Sequence, residues 1–263
     1  MKAIILAAGR GSRLHPYTDS APKCLTELAG RSLIDRQVAT LRSAGVTDIL
    51  IATGYLADQL AFPGTRQVHN PDWATTNMVE SLFVAEADFG DDLIVTYSDI
   101  VYEPRIIEAL LQSSHDVSVI VDRQWRRYWE ARFDDPLSDA ESLRMNADLE
   151  IFDIGNKVEN IDEIEAQYIG LMRFKGDGVT QLRNARQSFL ASHRDWMDKR
   201  PVEKAYMTDL LSEMLFMGVR VQAVPIDNGW LEFDTTDDYE RFADASNKDL
   251  MNTFFNPFST PIG

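Results

Sequence analysis

The sequence predicts an α/β fold, a mostly parallel sheet covered by helices on both faces. Three observations carry this. Short apolar runs rich in β-branched residues recur along the chain, segments of helical period separate them, and a glycine loop follows the first run directly.

Residues 2–8, KAIILAA, read as a buried strand. Residues 32–44 have helical period with Leu33, Val38 and Leu41 inward, and Gly45 closes the segment as a C-cap. Residues 48–53, DILIAT, are a second buried strand, so a right-handed crossover opens the chain. Residues 77–87 read as helix, 92–97 (DLIVTY) as strand, 103–113 as helix and 117–122 (VSVIVD) as strand. From about 123 to 165 the pattern changes to a stretch dense in Trp, Arg, Asp and Glu. It reads as loops and short antiparallel strands capping one end of the sheet. Residues 167–174 return to strand, 179–197 and 206–217 to helix, 220–225 to strand, and 237–245 form a closing helix. One domain over 1–246, with the 123–165 insert forming an acceptor pocket, and a tail over 247–263 is the expected organisation.

The chain has 263 residues, 44% of them hydrophobic, enough for a full core. Its formal net charge of −16 argues against a nucleic-acid or anionic-membrane binder, so a polyanionic ligand must be met by a few placed cations. No apolar run approaches membrane-spanning length. The N-terminal run is too short for a signal peptide, and one cysteine, Cys24, excludes an internal disulfide. A cytoplasmic protein is expected, with the assembly open between monomer and homodimer.

The loop runs Leu6-Ala7-Ala8-Gly9-Arg10-Gly11-Ser12-Arg13-Leu14. Leu14 stands where a dinucleotide fingerprint needs its third glycine, which disfavours a nicotinamide-dependent oxidoreductase, and no Gly-Lys-Ser/Thr follows for a P-loop. Glycines after a buried strand let backbone N–H groups approach phosphate oxygens. Arg10 and Arg13 add cations within the loop, and Pro22 fixes the approach of Lys23, which can neutralise charge near a reacting phosphorus. Asp99 follows strand 92–97 through Ser98, at the end of the strand where ligands gather in open α/β sheets. It is placed to hold Mg²⁺ against phosphates, with Asp234 as second ligand and Glu232 as a further candidate. The four histidines lack metal-ligand spacing.

Leu6-Ala7-Ala8-Gly9, Gly11-Ser12-Arg13-Leu14 and Pro22-Lys23 resemble the signature of the nucleotidyltransferases that activate sugar phosphates and small phospho-alcohols. The order of later elements extends the resemblance over roughly residues 1–245. It implies a Rossmann-like three-layer sandwich with a mixed sheet. It also implies that an NTP and a phosphate monoester give a nucleotide diphospho-product and pyrophosphate, with Arg13, Lys23 and Asp99 catalytic and Mg²⁺ shared by Asp99 and Asp234. The nucleotide set is Leu6, Ala7, Ala8, Gly9, Arg10, Gly11, Asn77, Ser81 and Ser98. Residues 76–82 resemble the Asn-rich helix start of bacterial choline-phosphate and aminoethylphosphonate cytidylyltransferases, which tilts the nucleotide to CTP.

The acceptor set is drawn from the insert and its flank. Aromatic faces with a carboxylate suit a trimethylammonium head and an Arg fork suits a phosphate, so Asp122, Trp129 and Arg132 are candidates for a phosphocholine-like or phosphono acceptor. Lys157, Gln167 and Tyr168 complete the set, and a packed hairpin filling core is the alternative for the aromatics. A sugar-1-phosphate nucleotidylyltransferase using UTP or dTTP, and a non-catalytic nucleotide sensor, are the competing functions.

Overall fold

A computed structural model of the chain describes residues 1–192, 200–243 and 247–259. Its elements, in chain order, are β1 (Lys2–Ala7), β2 (Glu27–Leu28), β3 (Arg31–Ser32), α1 (Leu33–Ser43), β4 (Asp48–Thr53), β5 (Arg66–His69) and α2 (Met78–Phe83). Then come β6 (Asp92–Tyr97), β7 (Ile100–Tyr102), α3 (Pro104–Gln112), β8 (Val117–Asp122), α4 (Trp125–Arg132), β9 (Leu143–Met145), β10 (Glu150–Ile154) and β11 (Gln167–Lys175). The chain closes with α5 (Asp177–Ser192), α6 (Met207–Phe216), β12 (Val221–Ile226), β13 (Trp230–Glu232), α7 (Thr236–Ala243) and α8 (Lys248–Phe254).

Nine strands form one sheet in the order β5-β4-β1-β6-β11-β8-β12-β10-β9. The block β5-β4-β1-β6 and the pair β8-β12 are parallel, while β11 runs antiparallel between β6 and β8. In β1 the pleat sends Ala3, Ile5 and Ala7 to one core cluster and Ile4 and Leu6 to the other. The first cluster is completed by α1, α3, α4, α7 and α8, the second by α2, α5 and α6. Both faces are therefore covered, giving the α/β three-layer sandwich with a mixed, mostly parallel sheet.

Helix boundaries follow local chemistry. The Ser32 hydroxyl accepts from the Asp35 N–H at 3.2 Å and starts α1, and Gly45, at φ 82°, follows its end. The helix read over 77–87 is only α2, because the chain breaks after Phe83 into a short 3₁₀ turn at Glu86–Asp88. Of the segments read as helix over 179–197 and 237–245, residues 193–197 and 244–245 lie outside the described residues.

The insert departs most from the reading of loops and short strands. It contains the antiparallel pair β9–β10, but it begins with helix α4. Trp125, Tyr128, Trp129 and Arg132 are its buried residues, and their i, i+3, i+4, i+7 spacing makes one inward face. The final segment also joins the core. Met251, Phe254 and Phe255 are buried, the Gly229 N–H donates to Phe254 O at 2.6 Å, and Arg36 Nη1 donates to Pro257 O at 2.6 Å. Among the described residues no helix is long and apolar enough to cross a membrane.

Candidate active site

The carboxyl ends of β1 and β6 and the segment after β13 meet at one place. β1 delivers the glycine loop, β6 delivers Ser98-Asp99, and β13 delivers Asp234. Lys23 lies across the loop because Gly11 has no side chain. A Cβ on Gly11 would come within 2.8 Å of Lys23 Cβ, and its φ of 67° is itself left-handed. Lys23 Nζ donates to Asp99 Oδ2 and to Asp234 Oδ1, each at 2.8 Å, and Arg13 Nη1 lies 2.6 Å from Asp234 Oδ2. Burial works to strip the Lys23 proton, but Asp99 and Asp234 outweigh it and hold its pKa above the usual lysine value.

Two adjoining cavities, of about 250 and 270 Å³, open on this cluster and share Arg13, Met78, Tyr97, Tyr206 and Asp234 as walls. The first is the loop cavity. Leu6, Ala8, Gly9, Gly11, Arg13, Lys23, Asn77, Ser81, Ser98, Asp99 and Asp234 all line it. Two members of the predicted nucleotide set do not. Ala7 is buried in the sheet core, and Arg10 lies over the Tyr55 ring, 3.9 Å from Asp19. Asn77 is at the wall, but its side chain is engaged with the backbone. Its Oδ1 accepts from the Met78 N–H and its Nδ2 donates to Lys204 O.

The second cavity is lined by Trp129, Gln167 and Tyr168 from the predicted acceptor set, joined by Asp139, Glu141, Thr208, Trp230 and Glu232. Three other predicted acceptor residues are placed elsewhere. Asp122 is wholly buried and accepts hydrogen bonds from Trp230 Nε1 and from the N–H groups of Gln124 and Asn228, so it ties β8 to the start of β13. Arg132 has no exposed side-chain surface. It forks onto Asp238 at 2.9 and 3.1 Å, reaches Glu232 at 2.7 Å, and stacks on Tyr128, Trp129 and Phe133. The guanidinium is spent inside the protein because two carboxylates and three rings already enclose it. Lys157 is exposed and lines neither cavity.

The second cavity is acidic. Asp139, Glu141, Glu232 and Asp234 face it, with Arg13 as the one cation on its wall among the described residues. Burial, reinforced by Asp209 and Asp139, pushes the Glu141 carboxyl up to about 7. Burial also raises Glu232, against Arg132 and with Asp234, Asp99 and Asp139 adding to it. The Gln167 amide grips the Glu141 backbone at both N–H and C=O and so sets its position. Asp139 and Glu141 escaped the sequence reading. The only local signal was their two-residue spacing, which keeps side chains on one side of an extended segment.

This places a stability test on Glu141. An unfolded glutamate ionises near pH ~4.3, whereas the folded one keeps its proton to about 7. The stabilisation is thus fully present below the unfolded pKa and is lost as pH rises toward the folded one. Urea unfolding of Glu141→Gln and of the parent across this window should show a parent penalty, on the order of 2 kcal/mol, absent from the variant. Parallel pH profiles would refute the assignment.

Asp99 Oδ1 is buried and has no hydrogen-bond partner among the described residues. With Asp234 alongside, it offers hard oxygen donors of the kind Mg²⁺ takes one or two at a time, completing its shell with phosphate oxygens and water. Among the described residues no three His, Cys, Asp or Glu side chains gather at metal-binding spacing, so these two aspartates are the donor set that fits such an ion.

The glycine loop, the buried lysine and the two aspartates gather at the strand ends of a Rossmann-like sheet, and the family match makes the chain a nucleotidyltransferase. Residues 3–169 match the family described as the MobA-like NTP transferase domain, and the chain belongs to that family. It is 36% identical over 253 residues to CTP:phosphoglutamine cytidylyltransferase of Campylobacter jejuni subsp. jejuni serotype O:2, a match covering 91% of this chain and 98% of that protein. It is 33% identical over 119 residues to choline-phosphate cytidylyltransferase of Streptococcus pneumoniae, covering 44% of this chain and 52% of that one. The solved structure of CTP:phosphocholine cytidylyltransferase from Streptococcus pneumoniae shares the fold, with a TM-score of 0.70 at 21% identity over 95% of this chain and 98% of that one.

Proposed function

We propose that the chain transfers a cytidylyl group from CTP to a small phosphate or phosphonate bearing a cationic nitrogen, and releases pyrophosphate. The observation that carries this is the acidic, aromatic cavity sharing Arg13 and Asp234 with the loop cavity. Asp139, Glu141 and Glu232 favour an ammonium group electrostatically, and Trp129, Tyr97 and Tyr168 offer ring faces to it. A neutral hexose would bring no charge to offset these carboxylates. The substrates named for two relatives are compatible with this, since phosphocholine carries a quaternary ammonium and phosphoglutamine an α-ammonium, the latter with a carboxylate as well.

In this reading the loop backbone and Lys23 hold the triphosphate, and Arg13, at the junction of the cavities, bridges the two substrates. A phosphate or phosphonate oxygen attacks the α-phosphorus in line and pyrophosphate leaves. That oxygen is already anionic near neutral pH, so no general base is needed and positioning with charge neutralisation suffices. Asp99 and Asp234 would hold Mg²⁺, which offsets charge on the phosphates when bound. An ammonium group docking beside Glu141 favours its ionised form, so acceptor binding should release protons near pH 7. A reducing cytoplasm suits the single buried cysteine, Cys24.

Pyrophosphate release measured with the four NTPs against phosphocholine, 2-aminoethylphosphonate, phosphorylated amino compounds and hexose 1-phosphates tests the reading. CTP with a cationic acceptor is the expected pair. Turnover confined to hexose 1-phosphates with UTP or dTTP would overturn it.

A further inference from the structure

Ser81 lines the loop cavity and is 5% exposed, yet its hydroxyl is not free to turn as it likes. Asn70, buried just beyond β5, donates from Nδ2 to Ser81 Oγ at 3.1 Å and to Thr76 Oγ1 at 3.0 Å. Its Oδ1 accepts from the Asp72 N–H at 3.0 Å. That last bond fixes the amide's orientation, because the flipped amide would set an NH₂ group against the Asp72 N–H. Thr76 passes its own proton to Asp72 O at 2.9 Å. Ser81 makes no such onward bond among the described residues. Its backbone N–H takes Asn77 O, but the hydroxyl does not turn back to that carbonyl.

We infer that Asn70 is a positioning residue for nucleotide recognition: it commits the Ser81 hydroxyl to act as a donor toward the cavity. A hydroxyl that accepts from an amide NH₂ of fixed orientation has its proton left to give. The ligand atom it meets must then be an acceptor, as the O2 and N3 atoms of a cytosine ring are. This rests on the CTP reading for the identity of the acceptor atom, but the coupling between Asn70 and Ser81 stands on the hydrogen bonds alone. Asn70 touches Ser81 and Thr76, not the reacting phosphorus, so its effect belongs in nucleotide binding.

The test combines an ordering of two variants with a double-mutant cycle through the Ser81 hydroxyl. Asn70→Asp keeps the shape and the Asp72 contact but turns the partner of Ser81 into an acceptor, so the hydroxyl donates backward and shows the ligand only lone pairs. Asn70→Ala loses every side-chain bond but leaves the Ser81 proton free to reach the ligand. KM for CTP should therefore rise roughly ten- to hundredfold in Asn70→Asp and less in Asn70→Ala, with kcat little changed in both. In a Ser81→Ala background the further effect of Asn70→Asp on KM should vanish. A larger KM effect for alanine than for aspartate, or an aspartate effect that persists in full without the Ser81 hydroxyl, would overturn the inference. The NTP preference of the parent enzyme reports separately on the CTP reading. If another nucleotide is preferred, the same cycle measured on that nucleotide decides the coupling.

Discussion

Asp99→Ala is expected to lower kcat by ~10³-fold or more while the protein stays folded. Asp99 Oδ2 binds Lys23 and Oδ1 is a buried carboxylate oxygen with no hydrogen-bond partner among the described residues. The substitution removes one of the two proposed metal ligands and one of the two anchors of Lys23. Stability should change by no more than about 2 kcal/mol, because Lys23 keeps Asp234 at 2.8 Å and the unpartnered oxygen leaves with the carboxylate. Single-turnover pyrophosphate release with saturating CTP and Mg²⁺, read beside thermal unfolding, separates the two effects. Asp99→Asn sharpens the comparison, since it keeps the shape and an oxygen for Lys23 but drops the charge. If the Asn variant turns over within tenfold of the parent, Asp99 orients Lys23 and does not hold a metal.

Arg132→Ala is expected to cost about 3–5 kcal/mol of stability, the largest loss anticipated for any single side chain discussed above. The guanidinium neutralises Asp238 and Glu232 where water does not reach it. Burial pushes the Asp238 carboxyl up, and the hydrogen bonds from Arg132 outweigh this and hold it below the usual range. Without Arg132 the buried Asp238 and the half-buried Glu232 would lose their counter-ion, and Asp238 also caps the loop by accepting from the N–H groups of Asp234 and Thr235. The loss should shrink as pH falls from 7 toward 5, because the orphaned Asp238 carboxyl can then take up the proton that the paired one refuses. Urea unfolding at both pH values checks it. A loss under about 1 kcal/mol would show that the stack on Tyr128, Trp129 and Phe133 suffices.

The same residue shows where the sequence was legible and where it was not. Lys23, Asp99 and Asp234 were readable because each follows a rule of chain geometry: a cation after a glycine loop, and carboxylates beyond strand ends. Those rules act over a few residues. Arg132 sits in a stretch whose composition suggested a binding surface, and composition outweighed period in the reading. The i, i+3, i+4, i+7 spacing from Trp125 to Arg132 marked a buried helical face, and it is the face that decided the outcome. Asp122 misled in a similar way. It ends a strand, as a functional carboxylate does, but it is spent on Trp230 and two backbone N–H groups. Glu141 lies at the other limit. Its environment is set by Asp209, Asp139 and Gln167, and no local pattern announces that company.

The docking of the last described helix has a consequence for biosynthesis. The Phe254 carbonyl accepts from the Gly229 N–H immediately before β13, Phe254 and Phe255 belong to the same core cluster as Trp230, and the Pro257 carbonyl accepts from Arg36 of α1. The strand that leads to Asp234 is thus secured by residues translated after it. A nascent chain that has not yet exposed Pro257 holds its glycine loop and Asp99 but lacks the packing that fixes Asp234. Catalytic competence should appear only once the residues through Pro257 have left the ribosome.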